Sequence, residues 1–159
     1  MVLLITLVDM SKDDFKDYLE WSVSNYATEQ VKAGTWSEEK AKELAKKQFD
    51  QLLPDGIETK DRYLYVVVDS ETDDKVGYLW IGVHPKVRDQ LFIYDIVIFE
   101  DYRGQGYGTA TLKGVEEKAR ELEINKITLH VFGHNEIAIS LYKKMNYHMT
   151  NIHMAKELD

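Results

Sequence analysis

The ten residues Gln90 to Phe99 read QLFIYDIVIF, and after Gln90 the run of apolar and aromatic side chains is broken only by Asp95. A strand with apolar residues on both faces needs cover on both, so this run predicts an interior strand of a layered sheet. Glu100 to Gly108 follows as a turn carrying Gly104, Gly106 and Gly108. Thr109 to Leu122 then places Leu112, Val115, Ala119 and Leu122 on one helical stripe. A buried strand therefore runs through a glycine turn straight into a helix. The N–H groups of a helix's first turn lack intrahelical partners and sit at the positive end of its dipole, which makes phosphate a natural ligand there. Glycines let the backbone approach such a ligand and take positive φ where the turn needs it.

The remaining chain fits around this unit. Val2 to Val8 is apolar and β-branched, as in a first strand. Ser11 opens a helix, with Asp14 at the acid position of a capping box. A second helix starts at Ser37, and Pro54-Asp55-Gly56 stops it. Tyr63 to Val68 and Lys75 to Val83 read as strands around the polar turn Ser70 to Asp74. Lys126 to Phe132 is a short strand, Asn135 to Met145 a helix, and Tyr147 to Lys156 a closing strand. The predicted order is β-α-α-β-β-β-α-β-α-β. It implies an α/β fold in a single domain over residues 1–159, which suits the chain's 159 residues.

Charge and composition narrow the function. The formal net charge is −8, and nucleic-acid binding needs a basic footprint, because phosphate neutralisation supplies most of the affinity. The expected partners therefore exclude nucleic acid. Met1 to Val8 is too short for a membrane span and lacks a basic leader, so the chain reads as cytoplasmic and not membrane-bound. There is no cysteine, which removes disulfides, thiolate metal sites and a Cys nucleophile together. The five histidines, His84, His130, His134, His148 and His153, lack metal-ligand spacing, so no metal is expected.

Two nucleotide motifs fail on the glycine turn. A dinucleotide fingerprint after Gly104-x-Gly106 needs glycine where Thr109 stands, and no acidic residue closes the next strand. A Walker A loop fails because Lys113 precedes Gly114 in place of Ser or Thr. Arg103-x-x-Gly106-x-Gly108, however, resembles the Arg/Gln-x-x-Gly-x-Gly/Ala signature of the GNAT superfamily of N-acetyltransferases. Asn135-x-x-Ala138-x-x-Leu141-Tyr142-x-x-Met145-Asn146-Tyr147 resembles that family's second block, and Tyr26 to Trp36 resembles a small bacterial branch of it. Asn146 stands where the family usually has glycine; asparagine tolerates the left-handed conformation at a helix C-terminus better than other side chains. Phe99-Glu100 replaces the His-Pro or similar pair often found after the signature strand.

The resemblance implies a mixed, mostly antiparallel sheet flanked by about four helices. It also implies acetyl-CoA as co-substrate. Backbone amides from Gly104, Gln105, Gly106, Tyr107, Gly108 and Thr109 would hold the pyrophosphate, with Arg103 adding charge beside them. The strand backbone at Ile96, Val97 and Ile98 would bond pantetheine. Asn135 and Tyr142, seven apart and so on a common helix face, would line the thioester end, with Tyr142 protonating the departing thiolate. A phenol near pKa 10 lies above a thiol near 8.5, and the receiving base is then the thiolate. Asn135 equally suits a helix N-cap, and Tyr142 an amphipathic core position.

The amine acceptor has to lose a proton. Period-2 alternation puts Asp95 on one strand face with Ile93 and Val97, and burial there would raise its pKa and make it a better base. A hydrogen-bonded structural aspartate fits the same place. Tyr26 and Glu29 fall in the segment that covers the acceptor site in this family, and Trp36 and Trp80 are candidates to line it. The expected activity is acetyl transfer to a primary amine of a small molecule or peptide by direct attack in a ternary complex. Since this chain has no cysteine, a cysteinyl thioester intermediate is excluded. A non-catalytic acyl-CoA-binding module and a transferase of longer acyl groups are the alternatives, in a monomer or homodimer.

Overall fold

A computed structural model describes residues 4–159 of the chain. Its elements are β1 (Ile5–Asp9), α1 (Lys12–Lys32), α2 (Glu38–Leu52), β2 (Arg62–Asp69), β3 (Lys75–Val83), β4 (Leu91–Ile98), α3 (Tyr107–Glu121), β5 (Ile127–Leu129) and α4 (Glu136–Lys144). Single 3-10 turns lie at Gly56–Glu58 and Glu100–Tyr102. Of the predicted first strand, residues 2 and 3 lie outside the described residues.

The sheet runs β1-β2-β3-β4-β5, so strand order follows chain order. The first three pairings are antiparallel and the last, β4 with β5, is parallel. The expected mixed, mostly antiparallel sheet with four helices is what forms. On one face α1 and α2 cover Leu64, Val66 and Trp80 with Tyr18 and Phe49, joined by Leu53 at the end of α2. On the other, α3 brings Tyr107, Leu112, Val115 and Ala119 onto Tyr65, Val67, Leu79, Ile81, Leu91 and Ile93, and Leu141 and Tyr142 of α4, with Met145 just after it, pack against that cluster. β4 is thus covered on both sides, as its apolar run requires.

Local signals explain the ends. The Ser11 hydroxyl accepts from the Asp14 N–H and the Asp14 carboxylate accepts from the Ser11 N–H, both at 3.0 Å, completing the capping box. Asn146 ends α4 at φ +70, the left-handed conformation expected of it.

Two expectations are corrected. The chain from Tyr147 to Lys156 forms no strand. Tyr147 packs against the core, but from His148 onward every residue is exposed, including Met149, Ile152 and Met154. The apolar residues there slip phase between 149 and 152, so no single face gathers them, and period-2 pairing has nothing to bury. The second correction concerns Asp95. Trp80 pairs with Asp95 while the next residue, Ile81, pairs with Ile93, leaving Tyr94 as the extra residue of a β-bulge. The bulge reverses the alternation. Ile93 faces α3, whereas Tyr94 and Asp95 both face α1 and α2.

Candidate active site

β4 and β5 pair only over Leu91–Ile127, Phe92–Thr128 and Ile93–Leu129. β4 continues to Ile98, while after Leu129 the chain leaves toward α4. The backbone of Ile96, Val97 and Ile98 therefore lies beyond the paired stretch of β5, along an opening in the sheet. Arg103 Nε donates to the Ile98 carbonyl at 2.9 Å. This holds the guanidinium at the end of the strand and engages one of the three expected strand positions.

The glycine turn closes the same end. Gly104 has φ +74 and Gly106, the N-cap of α3, has φ +95. Only glycine takes such a backbone without strain. No side chain caps α3, so its first-turn N–H groups are left to an outside acceptor. Gly104, Gln105 and Gly106 are exposed, and Gly108 and Thr109 half-buried. A Cβ on Gly108 would come 3.1 Å from Leu141 Cδ2, so that position keeps α3 close to α4. Tyr107 alone in this turn is buried, its side chain packed in the core. The exposed glycine cradle, the uncapped helix end and the open strand edge fit a phosphorylated, amide-bearing chain such as coenzyme A.

Asp95 accepts from the Tyr18 hydroxyl at 2.7 Å and from the Ser22 hydroxyl at 3.5 Å. Burial pushes its carboxyl up to about 6, against the opposing pull of these two donors and the Ile96 N–H. Tyr142 is half-buried on α4, its ring centre 5.7 Å from that of Tyr147. Burial, and then the charge of Asp95, push its phenol up to about 12. Asn135 acts as the N-cap of α4, its Oδ1 accepting from the Ala138 N–H at 3.2 Å.

Tyr26 sits in an aromatic group with Trp36, Phe49 and Phe132. Its hydroxyl donates to Gln48 Oε1 at 2.9 Å and accepts from Gln30 Nε2 at 2.7 Å. Glu29 pairs with His134, tying α1 to the loop before α4. Trp36 is half-buried beside Tyr26, whereas Trp80 is 2 % exposed and stacked on Tyr94 within the core.

Tyr18 and Ser22, the partners of Asp95, and His134, the partner of Glu29, are not identified from the sequence. Tyr18 and Ser22 are four apart on α1, a spacing that presents both to one neighbour. The Glu29–His134 pair spans 105 residues and leaves no local signal. Among the described residues no three His, Asp or Glu side chains cluster as a metal site, and no helix is long and apolar enough to cross a membrane.

Comparison with known proteins agrees with this geometry. The family model for the acetyltransferase (GNAT) family matches residues 16–147. Two relatives from Bacillus subtilis (strain 168), named the uncharacterized N-acetyltransferases YycN and YdgE, are 41% and 36% identical. The match covers 97% of this chain and 99% of YycN, and 96% of this chain and 98% of YdgE. The crystal structure of Bacillus subtilis YycN superposes with a TM-score of 0.92, covering 97% of this chain and 98% of that one. An acetyl transferase from Pyrococcus furiosus, 26% identical, superposes at 0.66 over 97% of this chain and 99% of its own. The glycine cradle, the opened sheet and the match across nearly the whole chain establish it as a member of the GNAT family of acetyltransferases.

Proposed function

We propose that residues 1–159 form a single catalytic domain that moves the acetyl group of acetyl-CoA to a primary amine of a small molecule or peptide. The observation that carries this reading is the opening of the sheet beyond Ile93, which ends on the uncapped N-terminus of α3 and has Asp95 and Tyr142 beside it. Acetyl-CoA supplies a thioester whose carbonyl carbon is open to attack. The amides of Gly104 to Thr109 receive the pyrophosphate, and the edge of β4 orients the pantetheine arm. Asp95, a carboxylate at neutral pH, takes the proton that the amine sheds as its nitrogen forms the new C–N bond. Tyr142 gives its phenolic proton to the sulfur as the C–S bond breaks. The products are an amide and the free thiol. A phenol held near 12 is fully protonated at neutral pH, so the proton is in place when the C–S bond breaks.

The reading carries with it a metal-free cytoplasmic enzyme, monomeric or homodimeric, with the acceptor lying on the side of Tyr26, Glu29 and Trp36. The test is thiol release from acetyl-CoA across a panel of primary amines. Amine-dependent release with matching acetylated product is expected. Tight CoA binding with no release for any amine would make the domain a binding module. Faster release from longer acyl-CoAs would make it a transferase of those groups.

A further inference from the structure

The glycine turn is exposed and carries two residues at positive φ, so something else must hold its shape. Tyr107 is the first residue of α3 and the buried one between Asp101 and Gly108. Its hydroxyl donates to Asp69 Oδ2 at 2.5 Å, across 38 residues of chain. The ring also meets Tyr102 edge-on, with centres 5.9 Å apart.

Asp69 is itself fixed. It ends β2, and its other oxygen accepts from the N–H groups of Glu71 and Thr72 at 2.8 and 3.2 Å. The Asp69 N–H donates to the Asp74 carbonyl, and the Ser70 N–H to the Leu4 carbonyl. The carboxylate thus belongs to a hairpin turn bonded both within itself and to the chain just before β1. It is 5 % exposed, and its charge is met by three donors. As the acceptor, Asp69 pushes the Tyr107 phenol up to about 12 and is itself lowered, as a charge-assisted bond requires.

We propose that the Tyr107–Asp69 hydrogen bond is the positioning contact of the anion-binding turn, holding the first-turn amides of α3 aimed at a pyrophosphate by tying them to the β2–β3 hairpin. Neither side chain touches the ligand; both act through the backbone that Tyr107 carries. The inference rests on the reading of this turn as the coenzyme A phosphate site. A donor without a pyrophosphate, acetyl-pantetheine, has no use for the turn, so the anchor should matter for one donor and not the other.

The test is Tyr107→Phe, which removes a single oxygen. Calorimetric titration should show CoA affinity falling about tenfold or more, the scale of a lost hydrogen bond to a charged group. The KM for acetyl-CoA should rise more than kcat falls, and the preference for acetyl-CoA over acetyl-pantetheine should shrink by the same factor. In the ligand-free protein, amide exchange should accelerate at residues 104–109 ahead of the rest of α3. Asp69→Asn keeps Oδ1 as the acceptor for the turn amides but sets an NH2 donor against the Tyr107 hydroxyl, which can then only accept a neutral bond. It should therefore move all of these in the same direction by less. Unchanged CoA affinity and exchange in a folded Tyr107→Phe protein overturns the proposal. So does equal loss with both donors, or unfolding of both variants, since the pair would then serve the whole fold. Failure of the unmodified protein to bind CoA would instead remove the phosphate-site reading beneath it.

Discussion

Asp95 and Tyr142 reach high values by the same cause, burial, and that cause has opposite consequences for them. A raised carboxyl becomes a stronger base, whereas a raised phenol becomes a weaker acid that keeps its proton at neutral pH. Tyr142→Phe keeps the ring and its packing, so turnover at saturating substrate should fall about 10²–10⁴-fold with acetyl-CoA affinity retained. Steady-state kinetics beside a CoA titration separate the two, and full turnover would leave Tyr142 a packing residue. Asp95 gives a pH prediction. Its folded value of about 6 lies above its ordinary 3.8, so folding takes up a proton between the two. Its contribution to stability is full below about 3.8 and is lost as pH rises through about 6. Asp95→Asn should therefore gain stability relative to the unmodified protein as pH rises from 4 to 7, read from urea midpoints. The same substitution should abolish the rise in kcat/KM through about pH 6; if that limb persists, another group is the base.

At the scale of elements, the turn before α3 was open to sequence reasoning because glycines, helix stripe and strand run lie next to one another in the chain. Gly106→Val places a β-branched residue at φ +95, where Cβ crowds the backbone. CoA binding should disappear by calorimetry while the circular dichroism of the folded protein remains, and retained affinity would move the phosphate site elsewhere. The capping box at Ser11 was equally readable, since its partners are three residues apart. The bulge at Tyr94 was not. Alternation of side chains predicts faces only while pairing stays in register, and the register shift opposite Trp80 is a matter between two strands. For that reason alternation alone puts Asp95 on the face of Ile93, and gives no sign of its partners Tyr18 and Ser22 on α1. The closing strand failed for a related reason. Tyr147 to Lys156 has strand-forming residues, yet a strand needs an apolar face in one phase and an edge to pair with.

For the molecule as a whole, the described tail from His148 to Asp159 adds no packed surface. Deleting residues 149–159 should shift Tm by no more than about 2 °C in a thermal melt; a larger fall would mean that the tail is packed in solution. The sheet has one further property, in time as well as in space. Its strands lie side by side in chain order, and β2, β3 and β4 are joined only by short turns. These pairings close small loops, whereas β1 must wait for α1 and α2, and β5 for α3. Loop closure therefore predicts that the β2–β4 meander assembles first, and that the β4–β5 seam, like β1, joins it later. Leu79→Ala in the meander should slow refolding, while Leu129→Ala at the seam should mainly speed unfolding, as read from chevron arms. Equal effects on refolding would contradict that order. A chain that builds its scaffold before its cleft can lose the cleft first as well: on warming, the capacity to bind coenzyme A should fade while most of the sheet still stands.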